Sequence, residues 1–248
     1  MENGRQPEEP ADRKSDDDRE EEEKLGAMRA FVESRDPSSK AVDDLVLRRF
    51  LRARNLEIET GGGLFLRYLK WRRDFVPNGR VVESEIPNEI EQDKVFIQGF
   101  DKKARPIAVA FGARHFPGKQ PDEFKRLIVY LFDKLSARTP AGQEKFAVIA
   151  DLQGWGYSNI DLRGYLGIFS ILQDYYPERL GRLFMIHVPR LFFSVWKIIY
   201  PFIDKKTRSK IIFVENKVLK STLLEEIDED QLPEIYGGRQ PLVPMHHA

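Results

Sequence analysis

Three short runs, residues 146–150, 183–188 and 211–214, are almost wholly apolar and do not alternate with polar residues. Such runs are strands covered on both faces, as in a parallel sheet, and the segments between them are long enough for crossover helices. Upstream, 94–100 and 105–111 read as strands joined by the polar turn Asp101-Lys102-Lys103-Ala104, a hairpin. Residues 122–138 place Phe124, Leu127, Ile128, Leu131, Phe132 and Leu135 on one helical stripe behind Pro121-Asp122. Together these predict an α/β fold whose sheet is mixed but mostly parallel, with flanking helices, over residues 79–240.

Before Gly79 the texture is helical. Val42, Leu45, Val46 and Phe50 share one face of a helix with Asp43 and Asp44 in its first turn, the order that suits the helix dipole. Leu64, Tyr68, Trp71 and Phe75 share the face of a second, whose start is weakened by Gly61-Gly62-Gly63 and whose end is set by Pro77-Asn78-Gly79. Residues 25–78 therefore form an N-terminal helical region.

The 40 basic and 40 acidic side chains cancel only in total. Residues 1–24 hold 11 acidic against 5 basic side chains, leaving 29 acidic against 35 basic in the rest: a tail of net −6 and a body of net +6. With Met1 and Ala11 as its sole apolar residues, 1–24 is expected to be a disordered acidic tail; 241–248 is expected to be flexible. The polar opening lacks the apolar stretch of a secretory signal, which points to the cytoplasm.

The chemistry on offer is narrow. There is no cysteine, so disulfides, thiol nucleophiles and cysteine-ligated metals are excluded, and the four histidines are His115, His187, His246 and His247. His187 lies in the apolar run 183–188 and reads as a hydrogen-bonded core residue. His246-His247 has no ligand partner nearby in sequence, and no metal is expected. Gly154-Trp155-Gly156 follows a strand, but Asn159 replaces the third glycine of a dinucleotide loop, and Ser158 lacks the glycines of a hydrolase elbow. Ser158 or Asn159 suits a helix N-cap instead. No catalytic constellation emerges, so the chain is expected not to be an enzyme.

Residues 191–203 are apolar except for Ser194, Lys197 and Pro201. At about 20 residues for a membrane span, this stretch is too short to cross a bilayer; it is either a core crossover helix or a lid that touches lipid. Lys205, Lys206, Arg208 and Lys210 follow it, and apolar side chains beside cations are what rests on an anionic membrane. No nucleic-acid motif accompanies these charges.

Several stretches resemble, in order and spacing, the CRAL-TRIO lipid-binding family. They are Arg49-Phe50-Leu51-Arg52-Ala53-Arg54, Lys70-Trp71-Arg72, Asp151-Leu152-Gln153-Gly154, Tyr175-Tyr176-Pro177-Glu178-Arg179, Pro201-Phe202-Ile203-Asp204, Thr207-Arg208-Ser209-Lys210, and Leu232-Pro233 with Tyr236-Gly237-Gly238. The branch most similar is that of the secretory-pathway phosphatidylinositol transfer proteins. The resemblance implies a helical region on an α/β domain that encloses one lipid. It also implies a gate helix carrying Leu191, Phe192, Phe193, Val195, Trp196, Ile198, Ile199 and Phe202, and a headgroup site at Arg54, Glu178, Thr207 and Lys210. A buried Arg54–Glu178 pair that merely pins the two regions together stays open as the structural alternative. Asn55 stands where the branch often has lysine, and Phe146 and Val148 stand at its phosphocholine hydroxyl positions, which argues against phosphatidylcholine as a second ligand. The resemblance implies a non-enzymatic monomer that carries phosphatidylinositol without other cofactors. It would dock transiently on anionic membranes as a cytoplasmic, peripherally associated protein and present its lipid to a kinase. Another hydrophobic cargo (tocopherol, retinoid or sterol-like) and a regulatory protein-interaction module are the alternatives.

Overall fold

A computed structural model describes residues 16–118 and 120–248, which cluster into two compact units, one ending at Arg67 and one starting at Tyr68. The first unit holds α1 (Asp16–Glu33), α2 (Asp44–Arg52) and the start of α3 (Ile58–Phe75). Asp43 caps α2, its Oδ1 accepting from the Leu45 N–H at 2.6 Å. The glycine triplet lies inside α3, not ahead of it. A Cβ on Gly61 would sit 3.2 Å from the Leu51 Cα, and one on Gly62 would sit 2.6 Å from a Phe31 ring carbon, so both residues are small because α2 and α1 come that close. The packing outweighs the roughly 1 kcal/mol that each mid-helix glycine costs.

Residues 16–24, expected to be disordered with the rest of the acidic tail, are the first half of α1; residues 1–15 lie outside the described residues. Three interactions order this acidic stretch. Asp16, Asp17 and Asp18 fill the first turn, where the dipole favours anions. Glu20 pairs with Lys24 at 2.7 Å, one turn on. Glu21 meets Arg52 at 2.8 Å and Arg48 at 3.4 Å, while Leu25, Met28 and Val32 bury the following turns.

The second unit continues α3 and adds α4 (Pro87–Glu91), β1 (Val95–Phe100), β2 (Pro106–Phe111), α5 (Pro121–Arg138), β3 (Phe146–Asp151), α6 (Leu162–Tyr175), β4 (Leu180–Ile186), α7 (Phe192–Ile199), α8 (Lys205–Arg208), β5 (Ile211–Phe213) and α9 (Leu219–Glu226). The five strands follow one another across the sheet in chain order; β1–β2 is the antiparallel hairpin, and the other three pairings are parallel. With sequential order and right-handed crossovers, the connecting helices fall on one face. That face packs Ala108 and Phe146 against Leu127, Leu131 and Leu135 of α5 and Ile171 of α6. The opposite face packs Ile107, Val109, Ala147, Ile149, Phe184 and Ile186 against Leu223, Ile227, Leu232 and Tyr236.

Two further expectations change. The C-terminal segment is tied down: the Ile97 N–H donates to the Val243 carbonyl at 3.1 Å, Met245 is buried, and the Lys134 ammonium donates to the carbonyls of Met245 and Ala248 at 2.8 and 2.9 Å. One buried methionine and three hydrogen bonds suffice to hold a segment too short to show periodicity. Asp161, not Ser158 or Asn159, caps α6 by accepting from the Gly164 N–H at 2.8 Å. Asn159 instead ties two loops together, donating to the carbonyls of Ala113 and His115.

Candidate lipid-binding site

The 191–203 stretch folds as the eight-residue helix α7 followed by a 3-10 turn, Tyr200–Phe202, at Pro201. Its residues divide by face. Phe192, Val195 and Ile199 point inward and are buried; Leu191 and Trp196 are half-buried; Phe193, Ile198 (49% exposed), Tyr200 and Phe202 (58%) face solvent. Inside, Phe192 meets Trp155 edge-on at 5.4 Å, and Trp196 meets Phe213 at 5.2 Å. The layer beneath α7 is apolar throughout, with Leu152, Trp155 and Met185 buried and Ala150, Leu162, Tyr165, Leu183 and Ile211 half-buried against them.

A polar cluster borders this layer. Glu178 follows Pro177 at the entry to β4 and takes φ 59, a left-handed value costly for a glutamate. Its carboxylate receives Lys206 at 2.6 Å and Lys210 at 3.8 Å. Asp204 caps α8 by accepting from the Thr207 N–H at 2.9 Å, and the Lys210 N–H donates to the Thr207 carbonyl at 3.0 Å, so one short turn aims both lysines at Glu178. Burial pushes the Lys210 ammonium below its ordinary pKa, opposed by Glu178 and reinforced by the nearby cations Lys145 and Lys206. Burial works to raise Asp204, but its hydrogen bonds to Thr207 and the Lys206 amide hold it below the usual carboxylate range. Three lysines against Glu178 and Asp204 leave a local surplus of positive charge, suited to a phosphate.

The family described as the CRAL/TRIO domain matches residues 90–238. The chain belongs to the CRAL/TRIO family. It is 31% identical over 218 residues to the Sec14 cytosolic factor of Schizosaccharomyces pombe, covering 81% of this chain and 76% of that protein. It is 32% identical over 217 residues to the phosphatidylinositol/phosphatidylcholine transfer protein SFH7 of Arabidopsis thaliana, covering 79% of this chain but 39% of that longer protein. The crystal structure of Sfh5 superposes with a TM-score of 0.66 at 19% identity, over 85% of each chain, which shows the shared fold.

Within this CRAL/TRIO chain, three of the four anticipated headgroup residues, Glu178, Thr207 and Lys210, lie together. Arg54 belongs to the first unit, at the turn after α2, where its guanidinium donates to the Ala53 carbonyl at 2.9 Å. The next two residues, Asn55 and Leu56, take φ 52 and 63. Asparagine tolerates that conformation better than lysine, which accounts for Asn55. Phe146 is buried and stacks on Phe132 of α5 with centroids 4.8 Å apart, while its neighbour on the same face, Val148, is half-buried. Lys206 was legible only as one of four cations; its spacing of one helical turn from Lys210 is the signal that places both on one carboxylate. Among the described residues no helix is long and apolar enough to cross a membrane, and no cluster of three His, Asp or Glu could hold a metal.

Proposed function

We propose that this protein binds a single phospholipid, phosphatidylinositol, and moves it between membranes without chemical turnover. The observation that carries the reading is the convergence of Lys206 and Lys210 on Glu178, itself held at φ 59, beside an apolar layer covered by α7. Left-handed non-glycine residues cluster where function requires them. The phosphodiester displaces Glu178 from the lysines and is received by Lys210 and Thr207, and the freed carboxylate accepts from inositol hydroxyls. The acyl chains lie against the half-buried face of β3, β4 and β5 beneath α7. Each methylene contributes about 0.8 kcal/mol of transfer free energy, so an apolar layer that opens to take the chains competes with a bilayer. Relatives named as phosphatidylinositol/phosphatidylcholine transfer proteins support the class of ligand. The apolar Phe146 and Val148 favour a site that does not take phosphatidylcholine.

Arg54 enters the reading through the resemblance of its Arg-Ala-Arg motif. Transient docking of a cytoplasmic monomer on anionic membranes, and presentation of the lipid to a kinase, belong to the same proposal. Native mass spectrometry of the purified protein should find co-purified phosphatidylinositol; a tocopherol, retinoid or sterol in its place overturns the ligand assignment. Lys210→Ala should cut transfer of labelled phosphatidylinositol between vesicles by about tenfold, the worth of one charge-assisted hydrogen bond. Unchanged transfer with the fold intact sinks the headgroup site.

A further inference from the structure

β3 ends at Asp151, whose side chain points to the sheet face away from α7 and is buried. Three donors from three places meet on this carboxylate. Oδ1 accepts from His187 Nδ1–H and from the Gln153 backbone N–H, each at 2.9 Å, and Oδ2 accepts from the Tyr236 hydroxyl at 2.9 Å. Burial, with the Asp151 charge beside it, pushes the Tyr236 phenol far above its ordinary pKa, so it remains a donor at any working pH. Tyr236 sits buried in a tight turn: Gly237 closes it at φ 87, and a Cβ on Gly238 would meet the Leu232 carbonyl at 2.1 Å.

The third partner differs from the other two. Asp151 pairs in register with Ile186, so its carboxylate lies where β4 stops. There His187 takes φ 51, which ends the strand that its apolar run would otherwise continue. Val188, Pro189, Arg190 and Leu191 then lead directly into α7. The far end of the α7 segment is held separately. Gln173 Nε2–H donates to the Phe202 carbonyl at 2.7 Å, and Arg208 donates to the Tyr200 carbonyl at 3.0 Å. A left-handed backbone outside glycine persists only where its surroundings over-determine it. At His187 that determinant is the bond to Asp151.

We propose that Asp151 and Tyr236 form a latch that holds His187 in its left-handed conformation and so sets the closed position of α7. Release of His187 is the hinge step that frees the helix. The residues act by positioning and do not touch lipid. The inference rests on reading α7 as the gate of the proposed lipid site, and it can be tested without lipid.

Hydrogen exchange of the full chain in the absence of vesicles, resolved by mass spectrometry, reads the hinge directly. Tyr236→Phe keeps the ring and removes the hydroxyl; His187→Ala removes the donor and leaves a strained alanine. Both should raise exchange over residues 188–199 by about fivefold, the change that one net hydrogen bond makes in an opening equilibrium. Amides 147–150 of β3 should stay protected. His187→Asn should restore the wild-type pattern, because asparagine accepts positive φ and keeps a donor for Asp151. Exchange over 188–199 that is unchanged in both loosening variants, or raised equally across β3, overturns the latch. Vesicle assays form a second arm, in which transfer by Tyr236→Phe should rise with the exchange rate. A wild type that transfers no phosphatidylinositol while the exchange pattern holds removes the lipid reading and leaves the latch standing.

Discussion

Along β3, Ala147, Ile149 and Asp151 point to the α9 face and are buried, whereas Val148 and Ala150, on the α7 face, are half-buried. The same asymmetry crosses the sheet. Phe184 and Ile186 of β4 are sealed beneath α9 and the C-terminal turns, but Leu183 of β4 and Ile211 of β5, facing α7, remain half-buried, and Phe213 is exposed. The first face is a completed core. On the second, Ala108, Phe146 and Met185 are buried, and apolar surface stays partly accessible at Val148, Ala150, Leu183, Ile211 and Phe213, the kind of surface that soluble domains reserve for a partner or ligand. The difference also orders the consequences of mutation. Phe184→Ala should lower unfolding free energy by about 3–5 kcal/mol, because a large side chain is deleted where nothing can refill the space. Leu183→Ala, its neighbour on the other face, should cost under about 2 kcal/mol. Urea denaturation of the two variants checks this. Equal losses would mean that the α7 face is as complete a core as the other.

Two lysine–glutamate pairs repeat the contrast in charge. Lys94 and Glu89, with side chains 4% and 2% exposed, pair inside the second unit. Lys94 also donates to His115 Nδ1 at 2.8 Å, and His115 Nε2–H faces Asp161 Oδ2 at 3.3 Å, which requires a neutral imidazole. Lys206 and Glu178, at 61% and 12%, pair at the polar border of the α7 layer. The sealed pair has no access for a ligand, and breaking it strands a charge. Lys94→Met should cost about 3–5 kcal/mol, and Lys206→Ala under about 1 kcal/mol. The sealed cluster also carries a pH signature. Burial, and then Lys94, hold His115 down from 6.5 to about 4. The unfolded chain therefore takes up a proton below 6.5 that the folded chain refuses until about 4, and stability falls as pH drops through that window. The slope from this residue is at most about 1.4 kcal/mol per pH unit. Denaturation midpoints between pH 7 and 4 should flatten in His115→Gln; an unchanged slope would assign the acid sensitivity elsewhere.

The strands were legible from the composition of their apolar runs, and the polar turn at 101–104 marked the hairpin, but burial on both faces did not extend to β5, an edge strand with Ile211 and Ile212 half-buried and Phe213 exposed. α1 was not, because its ordering depends on Arg48 and Arg52 meeting Glu21 from another helix, and on Leu25, Met28 and Val32, which lie at or beyond the edge of the acidic window. Within the site, Glu178, Thr207 and Lys210 were visible through a resemblance of ordered motifs. The Asp151–His187–Tyr236 cluster was hidden: Tyr236 lies 85 positions from Asp151, and an apolar run gives no sign of the positive φ that ends it at His187. Close approach of distant segments, not local pattern, decides such features.

The smallest effect on stability is expected on the outer side of α7, where the contrast between the two faces has its functional edge. Ile198 and Phe202 are about half exposed and near Lys197, Lys205 and Lys206 in the chain, so a charge placed there removes little packing. Ile198→Asp and Phe202→Asp should leave unfolding free energy within about 0.5 kcal/mol of wild type. If α7 is the proposed membrane contact, the same substitutions put a repelled carboxylate in place of an apolar group on anionic vesicles, and affinity should fall by more than either variant's stability does. Co-sedimentation with phosphatidylserine-containing vesicles reads this at low salt, where surface charge is least screened. Binding that survives both substitutions would move the proposed membrane contact away from α7 and leave the proposed lipid site beneath it untouched.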